Sequence, residues 1–364
     1  MTSLALMADD LTGALDSAAP FSVVAPVQVA WSDDAFSPGQ RMRALDGNSR
    51  DIATHLAQER VYQWLARSIS ADIAFKKLDS LLRGNTIAEL EICCRCDRYA
   101  TVVVAPAFPA QNRITTNGVQ QMREHSQAAW QQIGPSLLTA LPGAQAVAAG
   151  QVRGGRGVFV CDANSQDDLD LIAQCKAWAQ PVLWCGTSGL ARALSGPSAA
   201  ITPGSFGQML IVLGSQHDVT RVQLMELERD WPGTQVQGVG NDPASTALRL
   251  AGTLATKSLA HLWMTEPMAQ SAAADWFNAM FGVLIGLCRP DAVVCGGGET
   301  SRRFCAAARV GSLMVEGEWQ PGFPVSLIHD GPWATTHLFT KAGAFGSVHT
   351  LPALVNAVSR SARQ

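Results

Sequence analysis

This sequence carries no surplus of positive charge. Its 364 residues hold 27 Lys and Arg against 30 Asp and Glu, a net charge of −3. That balance leaves no electrostatic footprint for nucleic acid or a membrane surface. Long apolar runs are missing too. No segment reaches the roughly 18 uninterrupted apolar residues of a transmembrane helix, and no basic stretch followed by an apolar run opens the chain. Paired cysteine spacing is absent: Cys93-Cys94-Arg95-Cys96 has no second pair at zinc distance, so no metal ligands are expected. The other cysteines are irregularly placed, several inside apolar runs (Cys161 and Cys295 among them), as buried thiols of a reducing cytosol would be. The chain is therefore expected to be cytoplasmic. Also missing are a Walker A loop, since no Gly-Lys-Ser/Thr follows a glycine turn, and a Gly-x-Gly-x-x-Gly opening a first βαβ unit.

What is present is ample core material. Hydrophobic residues make up 47% and charged residues 16%, and the length suits two domains. Short apolar runs alternate with helix-like segments. Strands are expected at Leu4–Ala8, Asp72–Phe75, Val102–Ala105, Val158–Cys161 and Val182–Cys185, with helical spacing over Asp167–Trp178 and Leu190–Leu194. Ser195–Gly207 is rich in Gly, Pro and Ser and reads as a linker. The alternation then resumes: strand Met209–Leu213, helix Thr220–Arg229, helix Thr246–Thr256, strand His261–Met264, helix Ala269–Cys288, strand Ala292–Cys295. The expected fold is α/β, with two domains (1–205 and 206–364). Each has a mainly parallel sheet flanked by helices, and the active site is expected in the cleft between them.

Polar residues recur at strand ends, where open parallel sheets bind ligands. In the second half these ends are glycine turns. Cys295-Gly296-Gly297-Gly298-Glu299-Thr300-Ser301 leads from a strand into a helix, and glycines there let a backbone approach a phosphate at the helix N-terminus. Lys341-Ala342-Gly343-Ala344-Phe345-Gly346 and Leu213-Gly214-Ser215-Gln216 have the same character. Each alone also reads as a tight turn; three converging on one anion is the stronger reading. In the first half the ends are charged. Asp9-Asp10 precedes a helix start at Leu11-Thr12-Gly13, where either acid could orient a hydroxyl or cap the helix. Lys76-Lys77-Leu78-Asp79-Ser80-Leu81-Leu82-Arg83 follows another strand. Arg50 and Arg113 add cations, and Arg83 suits a bidentate grip on a carboxylate. Together these residues suit a small polyhydroxylated anion.

In order along the chain, Ala8-Asp-Asp-Leu-Thr-Gly13, Lys77-Leu-Asp-Ser-Leu-Leu-Arg-Gly84, Pro106-Ala-Phe-Pro109 with Arg113, Gly297-Gly-Glu-Thr300 and Lys341-Ala-Gly-Ala-Phe-Gly346 resemble the four-carbon acid sugar kinase family. The resemblance spans nearly the whole chain. It implies an N-terminal sugar-acid domain and a C-terminal nucleotide domain. It also implies ATP with Mg²⁺ as cofactors, and transfer to the terminal hydroxyl of an acid such as threonate, erythronate or 3-oxo-tetronate. It places ATP on Ser215, Gly297, Gly298, Glu299, Thr300 and Gly343, and the acid on Asp9, Arg50, Lys77 and Arg83. Asp10 and Asp79 are the alternative catalytic bases. The chain departs from the family in having Ala342 where Ser is usual, in Ala344, and in a shorter segment after Arg113. Those departures are what favour a rival reading, a metabolite-binding relative with reduced catalysis. A nucleotide-dependent dehydrogenase of a sugar acid is a weaker rival. The residues leave the oligomeric state open, a homodimer included.

Overall fold

The molecule was analysed as a computed structural model that describes residues 2–125, 127–196, 201, 204–215, 217–238, 242–264, 268–343 and 345–360. Ala344 and Gln216 lie outside the described residues. Two compact units divide the chain, Met1–Ala199 and Ala200–Gln364. The division falls inside the Gly-, Pro- and Ser-rich stretch, a few residues before position 205.

The first unit contains strands β1 (Leu4–Ala8), β2 (Val27–Ala30), β3 (Met42–Asp46), β4 (Ile73–Lys77), β5 (Thr101–Ala105), β6 (Arg113–Thr116), β7 (Val119–Met122), β8 (Gln131–Ile133), β9 (Ala144–Val147), β10 (Gly157–Cys161) and β11 (Val182–Gly186). Its helices are α1 (Leu11–Ala18), α2 (Thr54–Ser68), α3 (Thr86–Cys94), α4 (Leu137–Ala140), α5 (Gln166–Gln174) and α6 (Ser188–Ser195). The main sheet is parallel throughout, in the order β2-β3-β1-β4-β11-β5-β10-β9. Strands covered on both faces are apolar end to end, as the fully buried β1, β5 and β11 are. On α2, Ala57, Val61, Trp64 and Leu65 are buried at helical spacing, and the last three pack with Leu90 and Cys93 of α3 against Met7, Val102 and Val104. Each fully buried Leu or Val contributes about 1.5–3 kcal/mol.

Chain order changes direction at β1, which pairs with β3 on one side and β4 on the other. The carboxyl ends of these strands lie side by side, with Ala8 opposite Asp46 and Met7 opposite Lys76. Such a switch point is where open parallel sheets bind ligands.

Over β6–β8 the chain forms a separate antiparallel sheet. It is tied down by Asp162, whose carboxylate accepts from Asn117 N (2.7 Å) and Gly118 N (2.9 Å).

In the second unit, β12 (Met209–Leu213), β13 (Gln235–Gly238), β14 (Leu259–Met264), β15 (Ala292–Gly296), β16 (Ser312–Gln320), β17 (Phe323–Ile328) and β18 (His337–Lys341) run in the order β13-β14-β12-β15-β18-β17-β16. The helices are α7 (Asp218–Asp230), α8 (Pro243–Lys257), α9 (Gln270–Leu284), α10 (Gly298–Ala307) and α11 (Thr350–Arg360). Leu224 and Leu227 of α7 with Leu351, Leu354 and Val355 of α11 cover one face. On α9, α10 and the loop beyond β17, an aromatic chain runs Phe277–Phe281–Phe304–Trp333, with ring centroids 5.3–5.9 Å apart. The sheet switches direction at β12. The sheet is mainly parallel, as expected, with one exception: β17 is antiparallel to both β16 and β18. A nine-residue strand and a short turn at Pro321-Gly322 form a hairpin here instead of a crossover helix.

All nine cysteines are free, and burial pushes the Cys94 and Cys161 thiols up to about 12, so they pack as inert hydrophobes. Among the described residues no helix is long and apolar enough to cross a membrane.

One buried ion pair ties α3 to β4. Lys76 Nζ lies 2.7 Å from Glu89 Oε2, with both side chains essentially inaccessible. Burial opposes the Lys76 charge, but Glu89 outweighs it and the ammonium is held protonated. Glu89 also accepts from Ser49 Oγ. Glu89→Ala would leave an unpaired buried ammonium, and the expected loss is about 3–5 kcal/mol. A urea titration measures it; an unchanged midpoint would contradict the pair's structural role.

Candidate functional site

Charge assembles at the β1, β3 and β4 ends of the first unit. Arg50, just past β3, is the hub. Its Nε donates to Asp9 Oδ2 (2.8 Å) and its Nη1 to Asp10 Oδ2 (2.6 Å), while Nη2 lies 3.4 Å from Asp79 Oδ1. Burial opposes this guanidinium's charge, but Asp10 and Asp9 outweigh it and hold it protonated. The Arg50 loop is fixed from behind. Asn85 Nδ2 donates to Ser49 O and Ile52 O, both at 2.8 Å, and Ser49 N donates to Asp9 O.

The two acids at the β1 end differ. Asp10 is the N-cap of α1, accepting from Gly13 N at 2.7 Å, as its position before a helix suggests. Burial raises its pKa, with Arg50 and Lys77 pulling the other way and Asp9 adding to the rise. Asp79, past β4, is held well below the usual carboxylate range. Burial would raise it, but the Arg83 hydrogen bonds and the charges of Arg50 and Arg83 dominate. Arg83 makes the bidentate grip its chemistry suits, on Asp79 of the protein itself: Nε to Oδ2 is 2.9 Å and Nη2 to Oδ1 is 2.6 Å. Lys77 Nζ donates to Leu78 O (2.9 Å). Thus Asp9, Asp10, Arg50, Lys77, Asp79 and Arg83 are all in one cluster. Two buried oxygens there, Asp9 Oδ1 and Thr12 Oγ1, have no hydrogen-bond partner. Buried polar atoms are rarely left so unless a ligand completes them.

A different chemistry occupies the second unit. β12, β15 and β18 end in register, Leu213 beside Gly296 and Gly296 beside Lys341. Their loops carry Ser215, Gly297 to Thr300, and Gly343. Gly297 sits at φ 93°, where a side chain would be strained, and α10 starts there without a side-chain cap. Its free N–H groups and dipole favour an anion. Thr220 Oγ1 donates to Gly343 O at 2.7 Å, and a β-carbon at Gly343 would collide with Ser215 Oγ, so those loops are packed together. Glu299 points outward and pairs with Arg303 on its own helix. An open hollow lined by Glu228, Gln235, Arg249 and Thr256 lies at the opposite, amino ends of the strands and takes no part in this cluster.

Lys341, not among the expected ATP residues, is the buried cation of this cluster. It is 1% exposed, and among the described residues its Nζ donates to the carbonyls of Ala342 (3.2 Å) and Gly343 (3.3 Å). Burial lowers its pKa to about 8. Among the described residues, no group of three or more His, Cys, Asp or Glu could hold a metal ion.

Comparison with known proteins follows this division. Residues 4–131 and 119–194 match the description "sugar-binding N-terminal domain", and 240–351 match "nucleotide-binding C-terminal domain". The chain belongs to the four-carbon acid sugar kinase family. It is similar to D-threonate kinases of this family from Cupriavidus necator (28% identical, 94% of each chain covered) and Bordetella bronchiseptica (27%, 96% of this chain and 95% of the relative). A third, from Salmonella typhimurium, is 24% identical over 95% of this chain and 96% of the relative. Two solved structures share the fold. One from Salmonella typhimurium has TM-score 0.72 at 18% identity, covering 99% of each chain. One from Haemophilus influenzae has TM-score 0.70 at 18% identity, covering 97% of this chain and 100% of that one.

The buried ammonium predicts a pH dependence. With its pKa lowered to about 8, Lys341 is protonated below that pH and neutral above it. An anion held at these loops is expected to bind more strongly while the proton is present and more weakly as pH rises through about 8. Calorimetric titration with ATP at pH 7 and pH 9 is expected to show weaker binding at pH 9, and Lys341→Met should flatten the difference.

Proposed function

We propose that the protein is an ATP-dependent kinase that phosphorylates the terminal hydroxyl of a four-carbon sugar acid, with threonate, erythronate and 3-oxo-tetronate as the candidate substrates. One observation carries this reading. A charged side-chain cluster and a glycine-lined anion cluster each occupy strand ends of their own unit, in a chain similar end to end to D-threonate kinases. The unit of residues 1–205 takes the acid, through Asp9, Arg50, Lys77 and Arg83. The unit of residues 206–364 takes ATP, through Ser215, Gly297, Gly298, Glu299, Thr300 and Gly343. Asp9 Oδ1 and Thr12 Oγ1 supply the lone pairs and hydroxyl that a polyol would complete.

Phosphoryl transfer depends on positioning and charge neutralisation more than on covalent chemistry. Asp10 is the better of the two candidate bases. Its raised pKa favours taking a proton, whereas Asp79 is locked between two arginines and held ionised. Asp79 therefore orients Arg83 and Arg50 rather than accepting the proton. Mg²⁺ carried on the ATP phosphates would offset their charge during transfer. The free thiols suit a reducing cytoplasm.

A coupled ADP-release assay over D- and L-threonate, D- and L-erythronate and 3-oxo-tetronate tests the reading. Turnover with at least one acid is expected; folded protein giving none would refute it. On the best acid, Asp10→Asn is expected to lower kcat at least about 100-fold, and near-normal kcat would remove Asp10 from the role of base.

A further inference from the structure

The acid cluster contains one more cation than its own carboxylates match. Asp9, Asp10 and Asp79 face Arg50, Lys77 and Arg83, three negative charges against three positive. The fourth cation is Arg113, the first residue of β6. Its Nη1 donates to Ser80 Oγ at 2.9 Å, directly beside Asp79, and to Gln111 Oε1. Arg113 makes no ion pair among the described residues, and its Nε is buried with no hydrogen-bond partner. Burial lowers its pKa; the charge of Asp79 opposes this and that of Arg83 adds to it. Arg113 is half-buried, and its buried Nε left without an acceptor is costly unless a ligand completes it.

The scaffold holds this side chain in place. Gln120, fully buried on β7, donates through Nε2 to Ser80 O (3.1 Å) and Pro106 O (2.9 Å) and accepts from Thr115 Oγ1 (2.8 Å). The small sheet is thereby fastened to both the Asp79 loop and the β5 end. Arg50 and Arg83, by contrast, already spend their forks on protein carboxylates.

We propose that Arg113 is the residue that recognises the substrate's carboxylate, while Arg50, Lys77 and Arg83, neutralised by Asp9, Asp10 and Asp79, line the same pocket and meet its hydroxyls. The acid then lies with its carboxylate toward Arg113 and its terminal hydroxyl toward Asp10. The small sheet, which carries Arg113, becomes the element that sets how long an acid fits. This rests on the acid-site reading above, but its test needs neither ATP nor turnover.

The experiment is calorimetric binding of the best four-carbon acid and of its neutral amide, without nucleotide, to the wild-type protein and to Arg113→Gln. Wild type is expected to prefer the acid at least about 30-fold, the scale of hydrogen bonds to charged groups. Arg113→Gln is expected to bind acid and amide alike. A merely structural role would weaken both ligands together. A wild type that does not discriminate, or a variant that keeps the full preference, overturns the proposal. Should Arg113→Gln not fold, Arg113→Lys carries the test, with a reduced preference supporting the assignment and an unchanged one overturning it. Binding intact without ADP release would sink the kinase reading alone. ADP release intact with an unchanged preference in the variant would sink this inference alone.

Discussion

One arginine bridging three carboxylates is the contact on which the first unit's chemistry depends. Asp9 and Asp10 leave β1, Asp79 leaves β4, and Arg50 reaches them from β3. Acids this close repel, by about 4 kcal/mol per pair at ~4 Å in a medium of effective dielectric about 20. The arginine fork offsets that repulsion and fixes the direction of each carboxylate. Only a parallel sheet that changes direction at β1 brings these strand ends together, so the fold and the charge cluster are one arrangement.

The two units present opposite chemistries at their strand ends. The second relies on backbone: an uncapped helix start, glycines that admit close approach, and one buried lysine. A backbone cradle suits phosphate, whose geometry is the same in every nucleotide. The first relies on side chains, each oriented by a neighbour. Asp79 is held by Arg83, Asp10 by Gly13 N and Arg50, and the Arg50 loop by Asn85 and by Ser49 with the buried Glu89–Lys76 pair behind it. Such a network can be retuned by single substitutions, as the proposed acid site requires.

Much of this was legible in the residues. β1 and β12 begin and end where their apolar runs do, because strands buried on both faces leave no polar interruption. The positions of the glycine turns and of the acidic pair were legible because each follows directly on an apolar strand run. The small sheet was not. Its strands read Arg-Ile-Thr-Thr, Val-Gln-Gln-Met and Gln-Gln-Ile, polar and half-exposed, held by side-chain bonds rather than by a core. The β16–β17 hairpin was missed because its strands mix Glu, Gln and Ser with apolar residues. Arg83 had the right chemistry, but its carboxylate proved to be Asp79. Arg113 reads in the sequence as one cation among several; what sets it apart is its Nε, buried without a partner among the described residues, a property of packing rather than spacing.

The most direct test of this account is the effect of Arg50→Lys on the two ligands, measured separately by calorimetry with ATP alone and with the best four-carbon acid alone. Lysine keeps the charge but cannot reach three carboxylates at once. The account predicts acid affinity reduced at least about 30-fold, on the scale of a lost charged hydrogen bond, with ATP affinity unchanged. Wild-type affinity for the acid, or an equal loss for both ligands, would contradict it.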